Sequence, residues 1–330
     1  MRRFLLVAAA LLSAVPSSAL SKDEVRGLEG LSAFRSLCGV TAAGFFGDTA
    51  TITGTTLNSG GGVLYRKGQS PWALLPIHLR GPHSIVQLPD GRWLIGDTDN
   101  HRLVQIDDLS GKGEISRSEL LGIKLNRPHD EIVDPRTGDV YVIDGGRHLF
   151  RFKSLEGPIE VWSFGPDEMN YVRALSWIDG KLHLIHSSRG EVMRIDDFDK
   201  REYTRFGSPR SHAAVTPENP HRDFPAGALS LTGLVLNDVE KFDGWYYGTN
   251  FFTPSYAKGA DTGPARLIRW RSWDDFSSGV WEDLSDRLPS ADVPVVPYFL
   301  TAHDSGLYVA YFQPSEPCAP GGVVRLEKAR

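Results

Sequence analysis

A four-residue strand signature occurs six times along the chain and constrains its fold more than any other feature. The copies are Val63-Leu64-Tyr65-Arg66, Leu103-Val104-Gln105-Ile106, Leu149-Phe150-Arg151-Phe152, Val192-Met193-Arg194-Ile195, Leu267-Ile268-Arg269-Trp270 and Val323-Val324-Arg325-Leu326. Each alternates branched or aromatic apolar residues with polar or charged ones, the period of a strand with unlike faces. The first four copies begin roughly 40 to 50 residues apart and the last two follow at longer steps, as in a supersecondary repeat carrying insertions. Such a repeat predicts an all-β fold: a six-bladed β-propeller whose four-stranded antiparallel blades surround a central channel.

The segments before each signature support this. In the second unit an apolar strand over 83–88 meets the turn Pro89-Asp90-Gly91, then a strand over 92–97, then Asn100-His101-Arg102 and the signature. The third unit repeats the plan from His129 through Thr137-Gly138 to Gly145-Gly146, and the later units turn at Asp179-Gly180, Asp243-Gly244 and Ser305-Gly306. Gly and Asp at these positions supply the backbone conformations that tight turns need. The first unit is the least regular, with strands expected over 38–43 and 49–53. Fourth strands are expected after each signature, as over 160–164. Trp93, Trp162, Trp177, Trp245 and Trp270 are expected in blade cores. Inserts near 207–229 and 253–263 read as surface loops or lids.

With 330 residues, 41% of them hydrophobic, the chain can bury one large repeat domain. A net charge of −5 without long basic runs argues against a nucleic-acid surface or an anionic-membrane surface. Arg2 and Arg3 precede an apolar run over 4–15 that is short for a bilayer span, and Ser17-Ser18-Ala19 offers small residues for cleavage. The expectation is a signal peptide over 1–19, an uncleaved anchor being the alternative, and a single domain over 20–330. No later segment is apolar for long enough to span a membrane. The protein would then be secreted, periplasmic or in an endomembrane lumen. In such a compartment the only two cysteines, Cys38 and Cys318, read as a disulfide clasping the ends of the ring, which polymer entropy values at about 5 kcal/mol. Two separate thiols are the alternative.

In a propeller the first strand of every blade lines the channel. The residues opening those strands are His83 with Ser84, His129 with Asp130 and Glu131, Arg173, Asn237 with Asp238, and Tyr298. Such polar groups must be solvated, mutually paired, or holding a ligand or cation. A small-molecule ligand or substrate in the channel is the expected partner, and the oligomeric state stays open.

Two units resemble the NHL-type propellers: Gly81-Pro82-His83-Ser84 through Asp97 to Ile106, and Arg127-Pro128-His129-Asp130 through Asp144 to Phe152. In the peptidyl-hydroxyglycine lyases of that family, three such histidines hold a catalytic zinc. Here His83 and His129 match, whereas the fourth unit has Tyr171-Val172-Arg173 and the sixth Pro297-Tyr298, so His186 or His303 would have to complete the set. The fifth unit resembles the paraoxonases and the gluconolactonase-like hydrolases in Leu236-Asn237-Asp238-Val239, Phe242 and Tyr247-Gly248-Thr249-Asn250. The cysteine pair resembles the disulfide of the paraoxonases. That resemblance implies calcium: Asn237 on a catalytic ion, Asp238 on a structural one, and Asp130 or Glu131 intervening beside Arg173. It implies a metal-assisted hydrolase of lactones or esters in which His83 or His129 activates water. The alternatives are a metal-dependent lyase, with zinc in place of calcium, and a non-catalytic propeller binding a protein, glycan or small ligand. Gly-x-Ser-x-Gly, Cys-x-x-Cys and phosphate-loop motifs are absent.

Overall fold

The computed structural model describes residues 25–31, 37, 39–55, 60–166, 168–169, 171–207, 236–250, 265–289, 295–312 and 321–328. They form six antiparallel sheets in chain order, the blades of a propeller, and a seventh, two-stranded sheet of Glu119–Leu120 with Ile123–Lys124 between blades two and three. Blade one comprises Gly39–Phe46, Thr49–Thr55, Gly61–Lys67 and Ala73–Leu74; blade two comprises Ile85–Gln87, Trp93–Asp97, Arg102–Ile106 and Ile115–Arg117. Blade three comprises Asp130–Val133, Val140–Ile143, His148–Phe152 and Ile159–Ser163. Blade four comprises Ala174–Ile178, Lys181–His186, Glu191–Asp197 and Glu202–Phe206. Blade five comprises Leu236–Phe242, Trp245–Asn250, Arg266–Trp270 and Glu282–Asp283. Blade six shows three strands among the described residues: Val296–His303, Gly306–Phe312 and Gly322–Glu327. Among the described residues no helix is long and apolar enough to cross a membrane.

The recurring signature is the third strand of every blade. Its leading pair of apolar residues explains the recurrence. Leu103 packs toward blade three and Val104 toward blade one; Leu149 packs toward blade four and Phe150 toward blade two. Val192 and Met193, Leu267 and Ile268, and Val323 and Val324 divide in the same way. A blade is covered on both faces, so two successive side chains that point to opposite sides are both buried. An apolar cluster consequently fills each of the six seams between neighbouring blades. Trp93, Trp162 and Trp270 lie in these seams. Trp177 and Trp245 are half-buried and pack against two of these seam clusters, with the guanidiniums of Arg136 and Arg271 over their rings.

Nearer the axis each seam also carries a hydrogen bond from a short side chain of one blade to the backbone of the next. Thr53 Oγ1 donates to the His83 carbonyl at 2.9 Å, and Thr98 Oγ1 to the Pro128 carbonyl at 2.7 Å. Asp130 Oδ2 accepts from the Leu175 amide at 2.8 Å, and the Ser187 hydroxyl donates to the Leu236 carbonyl. Asp238 Oδ2 accepts from the Leu300 amide at 2.8 Å. Thr301 Oγ1 closes the ring on the Ala43 carbonyl at 2.6 Å.

Because the signature faces two seams, Leu149→Ala and Phe150→Ala should each destabilise the protein, by about 2–5 and 3–5 kcal/mol respectively. Denaturant unfolding checks this. A near-neutral effect at one of these adjacent positions would mean that the strand has only one buried face.

Candidate functional site

The residues opening the innermost strands of blades two, three and four are structural equivalents. The backbone amides of His83, His129 and Arg173 each donate to a carbonyl of the adjoining second strand, at Gly96, Ile143 and Ile185. Their side chains line a cavity of 260 Å³ together with Arg127, Tyr171 and Tyr298. We call this the upper chamber. Arg127 and Tyr171 precede His129 and Arg173 by two residues; Arg127 has a left-handed backbone, with φ at 53°, so its place in the lining does not come from strand alternation.

The two imidazoles are neighbours, with ring centroids 4.4 Å apart. His83 Nδ1 lies 2.9 Å from the Gly81 carbonyl. A carbonyl only accepts, so this contact places the proton on Nδ1 and the lone pair on Nε2. His129 Nε2 shares a 2.7 Å hydrogen bond with the Tyr171 hydroxyl. Burial, then the nearby Arg127 and Arg173 charges, hold His83 down to about 3. Burial, His83 and the same guanidiniums hold His129 well below its ordinary range. Both rings are therefore neutral at physiological pH. Arg173 is 4% exposed, lies 5.3 Å from the Tyr171 ring centroid, and donates from Nη1 to Asn237 Oδ1 at 2.6 Å.

A second cavity of 220 Å³, the lower chamber, is lined by all six innermost strands. Its polar lining includes Ser84, Asp130, Glu131, Asp238 and Glu240. Burial raises all four carboxyls. Asp238 is pushed to about 7 and Glu131 to about 8. Glu240 rises to about 8, with the Asp238 charge assisting. Asp130 is raised well above its usual value, the Glu131 charge adding to burial.

The expected site residues therefore divide. His83, His129 and Arg173 meet in the upper chamber, whereas Asp130, Glu131 and Asp238 face the lower one. Asn237 lines neither; its oxygen takes Arg173 and its Nδ2 donates to the Pro297 carbonyl at 3.1 Å. Asp130 accepts from the Leu175 and Glu131 amides. Asp238 accepts from the Leu300 and Val239 amides and the Ser176 hydroxyl. Each of these oxygens accepts a hydrogen bond from within the ring. Among the described residues, no third histidine joins His83 and His129. His186 is buried against Glu191, with Nδ1 3.5 Å from Oε2, and His303 stacks on Phe45 in a separate cavity. Among the described residues no group of three His, Cys, Asp or Glu side chains has metal-holding geometry. Cys38, Cys318, the leader over 1–19, the insert over 253–263 and all but residue 207 of the insert over 207–229 lie outside the described residues.

Arg127 and Tyr171 are the functional candidates that strand-opening positions alone do not identify. Their signal is position: each stands two residues before an opening residue.

The fold and its channel define a class, a six-bladed β-propeller with a polar axial site. Among solved structures the chain is similar to a catalytically inactive virginiamycin B lyase from Staphylococcus aureus with quinupristin, at TM-score 0.52 and 13% identity, covering 88% of this chain and 84% of that one. It is also similar to a streptogramin B lyase, at TM-score 0.53 and 10% identity, covering 89% and 85% respectively. At such identities the likeness is one of fold. No protein-family model matches the chain, and no curated protein is similar to it.

The raised carboxyls make stability depend on pH. Below about 4 both folded and unfolded carboxyls are protonated, so their contribution is fully present; it is lost as pH rises through the folded values of about 7 and 8. The depressed histidines oppose this only below about 6.5. The melting temperature should accordingly fall from pH 6.5 to 8.5, and Glu131→Gln, an isostere of the neutral acid, should flatten that fall. A melting temperature rising through this window in the wild type would contradict the burial argument.

Proposed function

We propose that this chain is a secreted propeller enzyme that opens a small ester or lactone in its upper chamber. The observation that carries the reading is the pair of neutral, adjacent imidazoles walled by two guanidiniums. A bare histidine cluster would serve as core; here the Gly81 carbonyl fixes one tautomer and leaves Nε2 of His83 to accept a proton from water or substrate. Arg173 and the Tyr171 hydroxyl would stabilise the oxyanion that develops when the carbonyl is attacked. The His129–Tyr171 hydrogen bond orients that hydroxyl. The lyase fold neighbours support an elimination variant on the same residues, in which His83 takes a proton from carbon.

Turnover of phenyl acetate, a γ-lactone and quinupristin, followed by mass spectrometry in ¹⁸O-water, tests the proposal. Hydrolysis places the label in the product and elimination does not. His83→Gln should lower kcat about 10²–10⁴-fold without changing the melting temperature. Unchanged kcat in His83→Gln would remove the assigned base, and the absence of turnover on every substrate would favour a non-catalytic binding propeller.

A further inference from the structure

We propose that the upper chamber is a subsite for a small organic carboxylate on a flat, unsaturated or aromatic body, selected against neutral and cationic molecules of the same shape. This rests on the reading of that chamber as the working site. The first ground is charge. Arg127 and Arg173 line the chamber from adjoining blades, and its described lining includes no carboxylate. Asp99 meets Arg127 at 3.3 Å from outside the lining, and Asp130, next after His129, faces the lower chamber.

The second ground is shape. Tyr171, Tyr298 and Phe312 contribute flat rings to the wall, with Tyr298 and Phe312 edge to face at 5.8 Å. Such walls favour a planar ligand. The third ground is preorganisation. Asn237 holds the buried Arg173 guanidinium through Nη1 and is itself fixed by the Pro297 carbonyl of blade six. Asn237 is thus a positioning residue. It sets the plane of a group whose fork of N–H donors matches a carboxylate.

Isothermal titration of the purified protein with benzoate, benzamide and benzamidine tests this, since the three share a shape and differ in charge. Benzoate should bind at least tenfold more tightly than benzamide, and benzamidine more weakly than either. Arg127→Gln and Arg173→Gln should each weaken benzoate about tenfold or more while leaving benzamide unchanged. Arg127 is only half-buried, so its variant keeps the test usable if the Arg173 variant does not fold. Equal binding of benzoate and benzamide, or wild-type benzoate affinity in Arg127→Gln, would overturn the proposal. Charge-selective benzoate binding without turnover of any ester would uphold this subsite and defeat the catalytic reading. Ester turnover that benzoate neither inhibits nor binds beside would do the reverse.

Discussion

A propeller is a ring, and this one is closed by short polar side chains near its axis that reach across each seam to the next blade's backbone. Each bond contributes only about 0.5–1.5 kcal/mol net, but breaking one would leave a buried amide or carbonyl unsatisfied. The last of them joins Thr301 to Ala43, at opposite ends of the described chain. This constraint decides which channel residues remain available for chemistry. Asp130 and Asp238 act as staples, one from blade three to four and the other from blade five to six. Their burial therefore has a structural cause.

What the seams leave over is segregated along the axis. The end where the innermost strands begin holds guanidiniums, neutral imidazoles and tyrosines; beyond it lie four carboxyls whose pKa values burial raises. The separation follows from strand geometry. Each innermost strand runs along the channel, so His129, just before Asp130–Val133, lines the upper chamber, while Asp130, Glu131 and Ile132 line the lower one.

The same geometry explains how far the sequence can be read. The six third strands were legible from their recurrence, but the alternation read as unlike faces gives way at the leading pair, where both faces are buried because a blade is covered on both sides. The opening residues were legible because the repeat supplies their phase. The partner of Asn237 was not, because Arg173 belongs to another blade and lies 64 positions away. Adjacent Asn and Asp suggest shared ligation only while sequence proximity stands in for spatial convergence; here their side chains serve different ends of the channel. Tyr171 looked like a departure from a histidine pattern, yet it supplies the hydroxyl that holds His129.

The central claim is electrostatic: two guanidiniums and burial keep both upper-chamber imidazoles neutral, with the His83 proton on Nδ1. Nitrogen-15 NMR titration of the histidine rings, assigned with His83→Gln and His129→Gln, measures this directly. The account predicts that neither ring titrates between pH 5 and 8 and that His83 shows the Nδ1–H pattern throughout. A midpoint near the ordinary value of about 6.5 for either ring, or a His83 ring protonated on Nε2 instead of Nδ1, would contradict it.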